Sequence, residues 1–221
     1  MRSLSILLSL GCGVLAVSLT AAFQPDGPPT ATVQDKKAVK YAGQKKCKSC
    51  HSGDKGSKVH DKWAAGPHAK AFETLGSDEA KKIAKEMGIA DAQKSDKCLK
   101  CHVTAFGVDK KLTKKIKPAD GVQCETCHGA GDTHGKARMK AAMKNDDSPP
   151  PAGEISSERD AALCKNCHNE ESPTYKPFCF KVMAKKIEHF DARKKRTPED
   201  IKKLHETCTP DCEVCAKKDD D

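Results

Sequence analysis

Cys124–His134, CETCHGAGDTH, joins a Cys-x-x-Cys-His unit to a glycine-rich bend and then to a second histidine. One short segment can thereby attach a cofactor and offer a ligand elsewhere. Two thiols two residues apart, followed at once by a histidine, form the attachment signal of a c-type haem. The sulfurs match the separation of the two vinyl groups they add to, and the adjacent His128 is held under the iron as proximal ligand. Zinc coordination by the thiols would not demand a histidine at that place.

The unit occurs four times: Cys47, Cys50 and His51; Cys98, Cys101 and His102; Cys124, Cys127 and His128; Cys164, Cys167 and His168. Shuffling the same composition would produce about 0.03 such units, so chance is not the explanation. Zinc or disulfide readings of the Cys-x-x-Cys pairs leave the four following histidines unexplained. Four covalently attached haems, with these eight cysteines as anchors and these four histidines as proximal ligands, are the expectation.

The rest of the composition fits a chain that depends on such a cofactor. Hydrophobic residues make up 37% and aromatic residues 4% of the sequence, and its mean hydropathy is −0.68. A polypeptide this poor in apolar surface cannot offset its chain entropy alone and leans toward disorder. Haem faces buried among helices would supply what Phe, Trp and Leu elsewhere provide, coupling folding to attachment. The expected fold is therefore mainly α with long loops, a single multihaem cytochrome c domain organised around its haems.

Residues 1–22 read as an export signal: Arg2, an apolar run from Leu4 to Leu19, then Thr20, Ala21 and Ala22 before Phe23. Retention as a membrane anchor, or lipidation at Cys12, are the alternatives. Export to the periplasm agrees with haem attachment and permits disulfides. Residues 23–40, rich in Pro, Gly, Thr and Lys, read as a flexible linker, residues 41–190 as the haem domain, and 191–221 as a basic helix and Cys-rich tail. The net charge of +9 is spread along the chain as lysine. In an exported haem protein it points to redox partners with acidic docking surfaces, and no nucleic-acid motif competes with that reading.

Two helices can be placed from pattern. Ser77–Met87, SDEAKKIAKEM, has an N-cap serine, acids in its first turn and Gly88 at its stop. Cys179–Arg193, CFKVMAKKIEHFDAR, has helical apolar spacing and carries His189. A further helix is expected over Pro198–Glu206, carrying His205. Lys110–Gly121 should be a loop or short hairpin, and Asp146–Gly153, with its three prolines, an extended connection without evident chemistry.

With the proximal ligands fixed by the motifs, His60, His68, His134, His189 and His205 remain for the distal side. Met139 and Met143 could also ligate iron, but packing explains them more simply. Cys179, Cys208, Cys212 and Cys215 form an even set with no histidine after the last pair, so a fifth haem is not expected. Disulfides tying the tail to the preceding helix are the first reading, with zinc and free thiols as alternatives.

Several segments together carry a family resemblance. Tyr41-Ala42-Gly43 before the first motif, Trp63, HAKAF at His68–Phe72, CLKCHVTAFG at Cys98–Gly107, GVQCETCHGAG at Gly121–Gly131 and the Asn169–Phe178 stretch resemble the tetrahaem cytochrome c-554 family in order, over about Tyr41–Phe190. That resemblance implies a mostly helical fold with closely packed haems. It also implies that three irons carry two histidines each, His68 serving the fourth haem, His134 the first and His189 the third. The second iron, on His102, would lack a protein sixth ligand. His60 and His205 are not family features and compete for that position here.

Two functions follow. One is an electron carrier between periplasmic or membrane-associated proteins, its haem potentials tuned by ligands, burial and charge. The alternative is a reductase of a small molecule such as nitric oxide at an open second haem.

Overall fold

A Cys-x-x-Cys-His unit is one helical turn long, which places its cysteines one turn apart and its histidine one residue further round. The structure, a computed structural model, describes residues 38–156, 161–190 and 197–199, and its short helices are built around these turns. Helix α1 (Gln44–His51), α5 (Asp96–His102) and α6 (Cys124–His128) each end on the motif histidine. In the fourth unit α8 (Ala161–Lys165) ends earlier, but the His168 N–H still reaches the Cys164 carbonyl at 2.9 Å, continuing the helical bond.

Between these lie α2 (Val59–Ala65), a 3-10 turn (Pro67–Lys70), α3 (Ala71–Thr74), α4 (Asp78–Glu86), α7 (Asp132–Ala142) and α9 (Phe180–Ile187). No strand occurs among the described residues, so the chain is helical with long connections, as the sequence leads one to expect. No helix among them is long and apolar enough to cross a membrane. Helix α4 forms as its signals dictate: the Ser77 hydroxyl accepts from the Ala80 N–H at 3.1 Å, and Gly88 takes φ +66° just past the end. Lys110–Gly121 is a run of turns closed by a 3-10 turn at Pro118–Asp120 rather than a hairpin.

Helix α9 departs from expectation. It ends at Ile187, not Arg193, and Glu188 turns the chain to an extended conformation. His189 then folds back so that its Nδ1 meets the Ile187 carbonyl at 3.0 Å, satisfying an acceptor of the last turn that a longer helix would have used. The imidazole thus projects from the helix end instead of from its side. The export signal, most of the linker, His205, Cys208, Cys212 and Cys215 lie outside the described residues.

The apolar interior is thin. Leu75, Ala84 and Ala92 form a small cluster with Ile89, Cys98 and Leu99 against it. Among the described residues the largest side chain entirely removed from solvent is polar, that of Gln123. What joins remote segments is a lattice of buried hydrogen bonds. The Glu125 carboxylate accepts from the N–H groups of Ala42, Gly43 and Gly131, each at 2.7 Å. Gln123 accepts from the Gln44 N–H at 2.9 Å and gives its own N–H to Thr104 at 2.6 Å. Trp63 donates to the Val122 carbonyl at 2.8 Å, and the Val122 N–H to the His68 carbonyl at 2.9 Å. A glycine is required where these strands of chain touch: Gly121 has φ +65°, and a Cβ there would stand 2.5 Å from the His68 oxygen.

Candidate haem centres

None of the eight motif cysteines is in a disulfide, and the fold gathers them. Cys47 and Cys124 share a hydrogen bond, which pushes the Cys47 thiol far up, with burial adding to it, and holds that of Cys124 down against the opposing effect of burial. Burial, reinforced by Cys164, raises Cys127 to about 11. Burial and then Cys101, which shares a hydrogen bond with it, raise Cys167 to about 12. The attachment turns therefore neighbour one another in the order first, third, fourth, second. Sulfurs packed this closely are tolerable only uncharged, as thiols or as thioethers. Among the described residues no three or more His, Cys, Asp or Glu side chains converge as a metal-ion cage.

The histidines meet in pairs from distant parts of the chain. His51 faces His134 with ring centroids 6.3 Å apart and planes 19° from parallel. His68 faces His168 at 6.1 Å, and His128 faces His189 at 6.0 Å. An iron about 2 Å from each of two imidazole nitrogens, with each ring centre about 1.2 Å behind its nitrogen, requires centroids roughly 6.4 Å apart. Three pairs at that gap fit an iron between them.

The tautomers fit as well. Nδ1 of His102 meets the Ala71 carbonyl at 2.6 Å, that of His128 the Ser156 carbonyl at 2.6 Å, and that of His134 a carboxylate oxygen of Glu154 at 2.7 Å. Carbonyl and carboxylate oxygens only accept, so the ring proton sits on Nδ1 and leaves the Nε2 lone pair for a metal. Burial lowers the pKa of His68, assisted by the nearby His168, and burial lowers that of His168 itself. Both imidazoles are kept neutral, the ligating form. Phe178 stacks on His168 with centroids 4.8 Å apart and fixes its plane.

His60 and His102 stand outside these pairs. His60 is buried, its Nε2 bonds the Gln44 side chain at 2.9 Å and its ring packs 5.1 Å from that of Trp63. It is engaged in the polar lattice and does not face His102. Among the described residues no imidazole is stacked opposite His102. Met139 and Met143 are exposed at the surface. Cys179 is disulfide-bonded.

Two features escape a reading by motif. Glu125, an unspecified position inside the third attachment unit, carries the lattice that ties the first unit to the third. The Glu154–Ser156 segment braces two histidines at once, since the Ser156 N–H also returns to the His128 carbonyl at 3.2 Å. The only sequence signal for the second was a lone acid closing a proline run.

A family model described as cytochrome c554 and c-prime matches residues 46–129. Cytochrome c-554 of Nitrosomonas europaea is 32% identical over 189 residues, which cover 75% of this chain and 75% of that protein. A solved structure, the reduced state of cytochrome c554 from Nitrosomonas europaea, is similar at 33% identity and a TM-score of 0.46, covering 67% of this chain and 78% of that one.

Proposed function

The chain belongs to the cytochrome c-554 family of c-type, haem-binding electron carriers, and from that premise we propose that it is an exported tetrahaem protein that relays electrons between periplasmic or membrane-associated partners. The observation that carries this reading is the set of three histidine pairs with ring centroids 6.0 to 6.3 Å apart, the gap an axially ligated iron requires. His51 with His134, His128 with His189, and His168 with His68 hold the first, third and fourth irons, and His102 is the proximal ligand of the second. The eight motif cysteines anchor the four haems.

Haem supplies the one-electron chemistry, and the protein's work is to space, orient and tune it. Contact between Cys47 and Cys124, and between Cys101 and Cys167, with Cys127 close to Cys164, supports a relay running first, third, fourth, second. Histidines on both sides of an iron keep small molecules off it and avoid ligand exchange during electron transfer. The lysine-rich composition supports acidic partners, whose encounter it accelerates. Four haems packed among these helices supply the interior that Leu75, Ala84 and Ala92 alone do not.

A second reading, reduction of a small molecule such as nitric oxide at the second haem, is favoured by one observation: His60 is bound to Gln44, and no described imidazole faces His102. Electron paramagnetic resonance of the oxidised holoprotein tests both. The relay predicts that His68→Ala, His134→Ala and His189→Ala each convert one low-spin haem to high-spin, whereas His60→Ala converts none. A variant that keeps every low-spin signal removes its pairing. In the parent protein, a high-spin signal abolished by nitric oxide supports the reductase, and low-spin signals indifferent to nitric oxide rule it out.

A further inference from the structure

Of the four histidines whose Nδ1 bonds are given above, three end on main-chain carbonyls and one does not. His134 bonds Oε1 of Glu154 at 2.7 Å, and Oε2 of the same carboxylate accepts from Arg138 Nη2 at 2.9 Å. We propose that Glu154 is a positioning and tuning residue that lowers the reduction potential of the first centre through His134, with Arg138 as its counterweight. The inference rests on the reading that His51 and His134 hold one iron between them.

The geometry is built rather than incidental. His134 and Arg138 lie one turn apart on α7, so both side chains leave the same face. Glu154 arrives from the other side, after the proline run, and is pinned by its own N–H to the Pro151 carbonyl at 3.1 Å. Its side chain is 12% exposed, that of His134 15% and that of Arg138 22%, so solvent screens the triad weakly. A second Arg138 nitrogen donates to the Ser148 carbonyl at 3.3 Å, which orients the guanidinium.

A carboxylate is a stronger acceptor than a carbonyl and brings a full charge. Drawing on the Nδ1 proton makes the imidazole a better donor to iron, and both effects favour the ferric state. Reduction here adds one electron and makes or breaks no bond, so the carboxylate acts on the equilibrium alone. Arg138 opposes it by offsetting the charge while fixing which oxygen faces His134. His102, His128 and His189, on neutral carbonyls, have no such bias. The first centre therefore sits at a lower potential than it would with a carbonyl behind His134.

The test is potentiometric titration of the holoprotein, with electron paramagnetic resonance in parallel, for the parent, Glu154→Gln, Arg138→Gln and His134→Ala. Glutamine keeps an oxygen for the Nδ1 proton and removes the charge. One reduction step should become about tenfold more favourable in Glu154→Gln, or about 59 mV more positive, with every iron still low-spin. In Arg138→Gln one step should move about as far in the negative direction. Titrations that superimpose on the parent, or shifts of the same sign in both variants, overturn the inference. If Glu154→Gln does not mature, the sign of the Arg138→Gln shift decides it. His134→Ala separates the premise. If that variant loses one low-spin haem while the other two titrate as the parent, the ligation stands and the tuning falls. If it loses none, the ligation itself falls and the inference with it.

Discussion

Replacing Glu125 by glutamine should destabilise the protein far more than an isosteric change at one carboxylate ordinarily does. The carboxylate is 3% exposed, with Oε1 accepting from Ala42 and Gly131 and Oε2 from Gly43. An amide can present only one oxygen. If it faces Ala42 and Gly131, the amide N–H₂ meets the Gly43 N–H, donor against donor. One charge-assisted bond, about 1.5–3 kcal/mol, is lost and a buried N–H is left without an acceptor at about 1–3 kcal/mol, so the loss is about 3–5 kcal/mol. For a chain of this size each kcal/mol lowers the melting temperature by about 2–4 °C, placing the shift on the order of 10 °C. The assay is thermal melting of the oxidised holoprotein, followed by far-ultraviolet circular dichroism. Haem content should be unchanged, because Cys124, Cys127 and His128 are untouched. A Glu125→Gln protein that melts within about 2 °C of the parent refutes the claim that this carboxylate joins the first and third attachment turns.

Two further outcomes follow from the same lattice. Burial first, and then Lys48, lowers the pKa of His60 below its ordinary 6.5, so the unfolded chain takes the proton before the folded one does. Stability should be at its full level above about pH 6.5 and decline as the pH falls from there toward the lowered folded value, and His60→Gln should flatten that decline. Parallel denaturant midpoints for the two proteins between about pH 7 and 5 would sink this assignment. Gly121→Ala and Gly88→Ala both force alanine to a positive φ, of +65° and +66°, but only the first Cβ meets backbone, 2.5 Å from the His68 oxygen. Both should lose about 1–3 kcal/mol to strain, and Gly121→Ala should lose more in chemical denaturation and disturb the His68 centre spectroscopically. Equal losses would show that the chain yields at His68 without cost.

The sequence by itself determined what is settled within one helical turn. Cys-x-x-Cys-His fixes two thiols and an imidazole on adjacent positions of a turn, whatever surrounds it, so the attachment units could be read directly. Helix α4 was equally legible because Ser77, its acids and Gly88 act within four residues of the bonds they make. The scarcity of apolar residues likewise foretold a thin interior. The distal partners came only through the family resemblance, since no local rule joins His51 to His134 or His128 to His189. Tertiary structure alone decided that His60 would be held by Gln44 and Trp63, that α9 would stop at Ile187 with His189 folded back upon it, and that Glu125 and Glu154 would lie beside the centres. These are contacts between segments far apart in the chain, and their energy depends on the burial of a polar group together with its partner. Neither residue carries that information alone, because an acid in a sequence reads as solvated until the fold removes its water.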